Sequence, residues 1–451
     1  MTRSGGCCAC SREEHPFRAP ASVPARSDAA EAAVRYDETL AYLLGLEATR
    51  GWDLKLERVR AALAALGSPE RAYPSVLIAG TNGKGSTAAM VHAALGQAGV
   101  RTGLYTSPHL VNFTERIRVD DAEIGRDEVA RGVREIRERV DVEASGLTFF
   151  EVTTVLALWW FAQCRVDVGV LEVGLGGRLD ATNVVEPVVS AVTSIGFDHE
   201  EYLGGTLDAI AREKAGVMRP GRVTVLGGGM PAEARAALLD EARRYGALAS
   251  DALPSAAHDL ALDGAHMRRN AAVACGVLQA LGAVEPRLAV DEVSLDRALR
   301  GVRWPGRLAV VHEAPRVVID GAHNVDGARA LCDSLPALVG PRPVRLLFSA
   351  LRDKRWREMA SILAPVASEV AVAEIPGKRG LGGDELAEAF PASPVRVIAD
   401  PALALDRMIA ADRAAPIVVT GSLFLIGMVY AHLMRKAGIA SVFAYRHGVG
   451  T

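Results

Sequence analysis

The sequence predicts an α/β protein of two domains, each a mostly parallel sheet with flanking helices, the second domain the smaller. Three observations carry this expectation. Short apolar runs alternate with helix-patterned stretches along most of the 451 residues, and parallel strands need such crossovers. A glycine-rich loop over residues 80–86 joins the apolar run Val76-Leu77-Ile78-Ala79 to a helical stretch carrying Met90, Val91 and Leu95. Trp304-Pro305-Gly306-Arg307 then punctuates the alternation and marks a domain boundary. A chain of this length carries a prior of two or three domains with ample cores.

Residues 1–33 read as an unstructured leader, because their Ser/Gly/Arg/Pro composition offers little to bury. Two helices follow at 36–48 and 53–66, the second stopped by Gly67-Ser68-Pro69. After the first strand and its glycine loop come a helix at 86–98 and a short strand at 102–106. Residues 107–118 show no periodicity but carry Glu115, Arg116 and Arg118, the character of a functional loop. A charged, solvent-facing helix at 126–140 and an apolar, internal one at 148–164 precede strands at 167–173 and 188–195. A helix at 206–218, a strand at 222–226 and helices at 231–245, 270–281 and 295–302 complete a first domain over 34–304. The second domain, 305–441, alternates strands at 317–319, 344–348, 370–373, 395–398 and 417–419 with helices at 325–338, 354–366, 383–389 and 402–414. Residues 442–451 read as a loose tail.

Half of the residues are hydrophobic and the formal net charge is −3, so neither nucleic acid nor an anionic membrane is an expected partner. No apolar run approaches the roughly 20 residues that cross a bilayer, and no secretory signal is visible at the N-terminus. Of the six cysteines, Cys7, Cys8 and Cys10 lie in the leader, whereas Cys164, Cys275 and Cys332 are widely spaced in apolar segments. The latter read as reduced core residues, which points to a cytoplasmic location.

Strand, glycine loop with one lysine, then helix is the layout of a phosphate cradle. Glycines let backbone N–H groups converge on phosphate oxygens, and Lys84 and the helix N-terminus add positive charge. The loop departs from G-x-x-x-x-G-K-[ST]: Ile78 stands at the first Gly position and Gly85 follows the lysine. Polar groups also sit where buried strands end. Glu172 follows Val168-Gly169-Val170-Leu171, and Asp198-His199 follows the strand at 188–195. In open parallel sheets the carboxyl ends of strands line the ligand crevice, so Glu172 is placed to hold the magnesium that a nucleotide brings. A salt-bridged strand-end carboxylate is the other reading. His199 is a metal ligand or a satisfied histidine. Lys214, taken alone, reads as a helix-surface lysine. Asp320-Gly-Ala-His323-Asn324 follows the strand at 317–319 and reads as a site or as a helix N-cap by Asn324 or Asp326.

Taken together, Gly80-Thr81-Asn82-Gly83-Lys84-Gly85-Ser86, Ser107-Pro108-His109-Leu110 with Glu115-Arg116, and Glu172-Val-Gly-Leu-Gly-Gly-Arg-Leu-Asp-Ala-Thr-Asn183 resemble the folylpolyglutamate synthase/dihydrofolate synthase family of the Mur ligase superfamily. So do Asp198-His199, Glu213-Lys214-Ala-Gly216, Pro305-Gly306-Arg307, Asp320-Gly-Ala-His323-Asn324 and Gly421-Ser422. The resemblance covers roughly residues 35–440 in unbroken order. It implies an N-terminal domain with a P-loop-type, mostly parallel sheet and a smaller Rossmann-like C-terminal domain. It also implies an ATP-dependent amide ligase that joins L-glutamate to dihydropteroate or a reduced folate through an acyl phosphate.

The resemblance carries residue roles with it. Thr81, Asn82, Gly83 and Lys84 would hold the ATP phosphates, with Gly80, Gly85 and Ser86 completing the loop. Ser107, Glu172 and His199 would be ligands at two Mg²⁺ sites. Lys214 would be carbamylated and help to hold the second metal. Asn270, Arg307 and Asp320 would contact the nucleotide, with His323 beside them as a catalytic residue together with Lys84 and Lys214. Thr148, Phe149, Phe150 and Glu151, with Leu179, Asp180 and Ala181, would receive the pterin end of the substrate. Met267 stands where many relatives have Gln, and Val325 where Pro usually follows the His-Asn pair. A monomer is expected, since two domains of one chain close the site. Another Mur-type ligase acting on a cell-wall or polyamide precursor, and a non-enzymatic nucleotide switch, are the competing readings.

Overall fold

The structure, a computed structural model, describes residues 26–50, 55–253, 259–261 and 264–445, with side chains described from residue 35 onward. Cys7, Cys8, Cys10, most of the expected leader and the last six residues of the expected tail lie outside the described residues.

The first sheet contains eight strands: β1 Ser75–Ala79, β2 Thr102–Tyr105, β3 Ile117–Val119, β4 Ala122–Glu123, β5 Val168–Glu172, β6 Pro187–Val192, β7 Val223–Leu226 and β8 Leu248–Asp251, in spatial order β4-β3-β2-β5-β1-β6-β7-β8. The run from β2 to β8 is parallel, and β3 and β4 extend it as an antiparallel hairpin. β1 is buried along its whole length. Its side chains alternate between two cores, as a period of two demands. Leu77 and Ala79 face helices Arg126–Arg139, Phe149–Gln163, Leu207–Ala215 and Ala232–Tyr245. Val76 and Ile78 face helices Lys84–Gln97, Ala265–Val284 and Glu292–Gly301.

Helix Phe149–Gln163 shows how tightly the layers fit. A Cβ on Gly103 of β2 would stand 2.7 Å from the Phe161 ring. Glycine therefore lets that ring lie flat on the sheet, where each fully buried large apolar side chain contributes about 1.5–3 kcal/mol.

The second sheet has six strands: β9 Ala309–Glu313, β10 Arg316–Ile319, β11 Val344–Phe348, β12 Ala367–Val372, β13 Val395–Val397 and β14 Ile417–Thr420, ordered β13-β12-β11-β14-β10-β9. All pairs are parallel except β9 with β10. Helices cover both faces, and the passage from helix Glu292–Gly301 to β9 runs through Trp304-Pro305-Gly306-Arg307.

Four expectations need correction. A helix begins at Arg26 and runs to Arg50, so the leader cannot extend unstructured to residue 33. The tail does not begin at 442: Val442 is buried, Phe443 packs on Trp304 with ring centroids 5.7 Å apart, and the Tyr445 hydroxyl donates to Val311 O at 3.3 Å. Residues 107–118 contain a one-turn helix, Phe113–Arg116, and the start of the β3–β4 hairpin. Finally, β8, β9 and helix Leu423–Ala437 had no counterpart in the sequence reading.

Candidate active site

The site grows from the carboxyl end of β1. Gly80 has φ 147°, and a Cβ there would overlap Thr193 Oγ1 on the strand-end of β6. Gly83, with φ 86°, is the residue before helix Lys84–Gln97, and a Cβ on it would strike the Asn270 side chain at 2.2 Å. These close approaches draw the loop into a ring, closed by Thr81 N donating to Ser194 O at 2.8 Å. Lys84 folds back over the ring and donates from Nζ to Gly80 O at 3.1 Å and Thr81 O at 3.2 Å. Ser86 Oγ is buried without a hydrogen-bond partner.

Parallel pairing with Ile78 opposite Glu172 sets the β5 carboxylate beside this loop. Glu172 Oε2 accepts from Ser107 N at 3.0 Å, and a Cβ on Gly85 would lie 3.2 Å from the same oxygen. That contact gives a physical reason for Gly after the lysine: a larger residue would push against Glu172 and Trp304. Burial raises the Glu172 carboxyl above its ordinary range, and Lys84, Arg307 and Arg116 oppose that rise.

Lys214, on helix Leu207–Ala215, is not a surface lysine. It is 4% exposed and donates from Nζ to Gly80 O at 3.0 Å. Burial, then the nearby Lys84 charge, lowers its ammonium to about 7. The charge of Lys84 is thus felt by Glu172 and Lys214, and by His199 as well.

His199 takes a left-handed backbone conformation, φ 52°, after Asp198. Burial lowers its imidazole to about 4. Burial alone would raise the Asp198 carboxyl, but His323, Lys354 and His199 hold it well below its ordinary value. His323 Nε2 lies 3.6 Å from Asp198 Oδ2, and Lys354 Nζ is paired with Asp198 Oδ1.

The second sheet supplies the facing wall. Asn324 is both cap and bridge. Its Oδ1 accepts from Gly327 N at 2.9 Å, while its Nδ2 donates to Asn82 Oδ1 at 2.9 Å and Asp198 Oδ2 at 3.2 Å. Asp320 is taken up in bracing its own turn, accepting from Leu308 N and Ala322 N, each at 2.9 Å. Arg307 crosses Gly321 so closely that a Cβ there would be 2.1 Å from its Nη1. Arg307, Glu172, Ser107, Pro108 and Gly85 line one cleft, with Trp304 at its wall. Asn270 sits against Gly83, and its amide donates to the sulfur of Met267 at 3.6 Å.

The residues expected to receive the pterin are mostly engaged internally. Thr148 and Glu151 form a reciprocal capping box on helix Phe149–Gln163, and Glu151 also pairs with Arg58 at 2.9 Å. Phe149 is buried edge-on to Phe113, and Asp180 braces its turn by accepting from Leu175 N and Thr182 N. Ala181 is buried, leaving Phe150 and Leu179 as the partly exposed members of the set. Lys354 was missed by the sequence reading. It follows the carboxyl end of β11, so the strand-end rule that found Glu172 could have found it too.

The Mur ligase middle domain family matches residues 78–223, and the Mur ligase glutamate ligase domain family matches residues 306–423. A Bacillus subtilis protein named dihydrofolate synthase/folylpolyglutamate synthase is 34% identical, the alignment covering 82% of this chain and 93% of that one. Among solved structures, Escherichia coli FolC in complex with DHPP and ADP superposes with a TM-score of 0.80 at 33% identity, over 88% of this chain and 98% of that one. The chain belongs to the folylpolyglutamate synthase/dihydrofolate synthase family. It is an ATP-dependent ligase that joins glutamate to a folate-type substrate.

A bifunctional folylpolyglutamate synthase/dihydrofolate synthase solved with Mn, AMPPNP and L-glutamate bound matches with a TM-score of 0.76 at 32% identity over 89% of this chain and 98% of that one. A longer relative from Haloferax volcanii, named as a probable bifunctional folylpolyglutamate synthase/dihydropteroate synthase, is 36% identical over 87% of this chain, which spans half of its length. Within the ligase, the glycine loop, Glu172, His199 and Lys214 fall in the middle-domain match, and Arg307, Asp320, His323 and Lys354 in the glutamate-ligase match.

Proposed function

We propose that the ligase activates the acceptor's carboxylate with ATP and then joins it to the amino group of L-glutamate, the acceptor being dihydropteroate or a reduced folate. The observation that carries this reading is the meeting of Lys84 and Lys214 on Gly80 O, at a loop whose Gly85 lines one cleft with Glu172, Ser107 and Arg307. A carboxylate is a poor electrophile, and phosphorylation gives it a leaving group. The protein's share is positioning and charge stabilisation.

In this reading the loop of residues 80–86 holds the ATP phosphates, and Lys84 turns from its carbonyl partners toward the transferring phosphoryl. Asn270, Arg307 and Asp320 hold the nucleotide. His323 stands beside the reacting groups, and Phe150 offers a partly exposed aromatic face to the pterin.

The donor set fits a divalent cation: Ser86 Oγ is buried with no partner, and Glu172 is a buried carboxylate held by a single Ser107 N–H among the bonds described. Among the described residues no three His, Cys, Asp or Glu side chains cluster as a metal site. By the family resemblance, two Mg²⁺ ions would draw on Ser107, Glu172, His199 and a carbamate on Lys214. When bound, the cation neutralises charge on the phosphoryl group. Carbamate formation needs a neutral amine, and a buried Lys214 lowered to about 7 supplies one near neutral pH.

Both halves of the site come from one chain, which supports a monomer. Cys164, Cys275 and Cys332 are free thiols, which supports a cytoplasmic location. Among the described residues no helix is long and apolar enough to cross a membrane.

The test is ADP release with L-glutamate and, in turn, dihydropteroate, tetrahydrofolate or a cell-wall precursor. Turnover with either folate-type acceptor is expected, and their ratio assigns the preference. Turnover with the cell-wall precursor alone would overturn the reading.

A further inference from the structure

The second domain delivers two consecutive basic side chains to four consecutive residues of the first, 197–200. Lys354, only 7% exposed, pairs with Asp198, and its Nζ lies 3.2 Å from His199 Nε2. Arg355 makes two bonds to Glu200, both at 2.8 Å, and lies 4.8 Å over the Phe197 ring. The Arg355 contacts form an exposed clasp. The Lys354 contact is different in kind, because it engages the one lone pair that His199 Nε2 possesses.

An ammonium has three donors and no acceptor, so at this distance Lys354 donates into the imidazole nitrogen. A divalent cation coordinated by that nitrogen needs the same lone pair. It would also meet the positive charge of Lys354 at contact distance. The ammonium and the metal exclude one another at Nε2.

We propose that Lys354 is a placeholder cation: its ammonium competes with a divalent metal for the Nε2 lone pair of His199. This rests on the reading of His199 as a metal ligand. Metal entry must displace Lys354 from His199 Nε2, while Asp198 remains available to hold the ammonium nearby. Three second-domain side chains, Lys354, His323 and Asn324, thus face the half-buried Asp198 carboxylate.

The experiment is a Mn²⁺ titration of the full-length, nucleotide-free protein, with free Mn²⁺ read by electron paramagnetic resonance. Lys354→Met is expected to bind Mn²⁺ about tenfold tighter than wild type, since a like charge at contact distance is removed. Lys354→Arg, which keeps the charge, should stay near wild type. Arg355→Gln weakens the clasp without touching the placeholder and should leave the affinity unchanged. His199→Ala in the Lys354→Met background should abolish the gain. If Lys354→Met fails to fold by circular dichroism, Lys354→Gln keeps a donor for Asp198, removes the same charge and should show a gain of about tenfold too.

Unchanged or weaker Mn²⁺ binding in the Lys354 variants, with His199→Ala still weakening wild type, overturns the placeholder and leaves His199 as a ligand. A gain in Arg355→Gln equal to that in Lys354→Met also overturns it, because loosened domains alone would then explain the effect. If His199→Ala changes nothing in either background, the reading of His199 as a ligand fails, and the placeholder with it.

Discussion

Glu172 lies where three structural constraints meet. Strand pairing places it, Ser107 N–H holds it, and Gly85 leaves room for it. Glu172→Gln keeps the shape and removes the charge, so ligation should fall at least ~100-fold with the circular dichroism spectrum unchanged. Near-normal turnover would remove Glu172 from the site. For Lys214, native mass spectrometry in bicarbonate buffer should show about 44 Da added to the encoded mass and lost in Lys214→Arg. No added mass under gentle conditions would count against the carbamate.

His92 offers a pH test away from the active site. Its Nε2 donates to Asp120 O at 2.8 Å, its Nδ1 is buried without a partner, and burial with nearby Arg118 lowers it to about 4. The unfolded chain binds this proton near pH 6.5, before the folded one does. The stability from a neutral His92 is therefore intact above pH 6.5 and lost as pH falls toward 4. Between pH 7.5 and 5.0 the wild type should lose about 2 kcal/mol more than His92→Gln in urea unfolding. Equal losses would contradict the assignment.

At the scale of elements, Arg345 ties the second sheet together. Buried in β11, it donates to the carbonyls of Met408, Asp412 and Ala415, the last two at 2.6 and 2.8 Å. These carbonyls lie at the end of helix Pro401–Ala411 and in the turn leading to β14. Arg345→Met removes the donor to one buried and two part-buried carbonyls and should cost ~3 kcal/mol in denaturant unfolding. A loss under ~1 kcal/mol would mean that water replaces the guanidinium. Elements with a clean pattern were legible from sequence. β11 reads as an apolar run because both its faces are covered. β8, exposed at the sheet edge, has no apolar pattern to read. Helix Leu423–Ala437 starts with a nearly unbroken apolar run, which periodicity alone does not assign to helix. The segment at 442–445 is ordered by Trp304, Arg118 and Val311, partners far away in the chain.

At the scale of the whole molecule, the two sheets point the carboxyl ends of β1, β5 and β6 toward those of β10 and β11, and the chemistry lies between them. Glu172, His199 and Asp320 stood out in the sequence as candidates because each polar group follows the end of an apolar strand. Lys214 was visible only through the family resemblance, since nothing local says that its helix face is covered by the glycine loop. The pairing of Asn82 with Asn324 was not visible, since it depends on how the domains meet. The central claim is that this closed cleft activates a carboxylate by phosphorylation, and isotope transfer tests it most directly. Dihydropteroate or tetrahydrofolate labelled with ¹⁸O in its reacting carboxylate would be turned over with ATP and L-glutamate, and the released phosphate weighed by mass spectrometry. The account predicts one ¹⁸O carried into each phosphate. Phosphate released without label would contradict it.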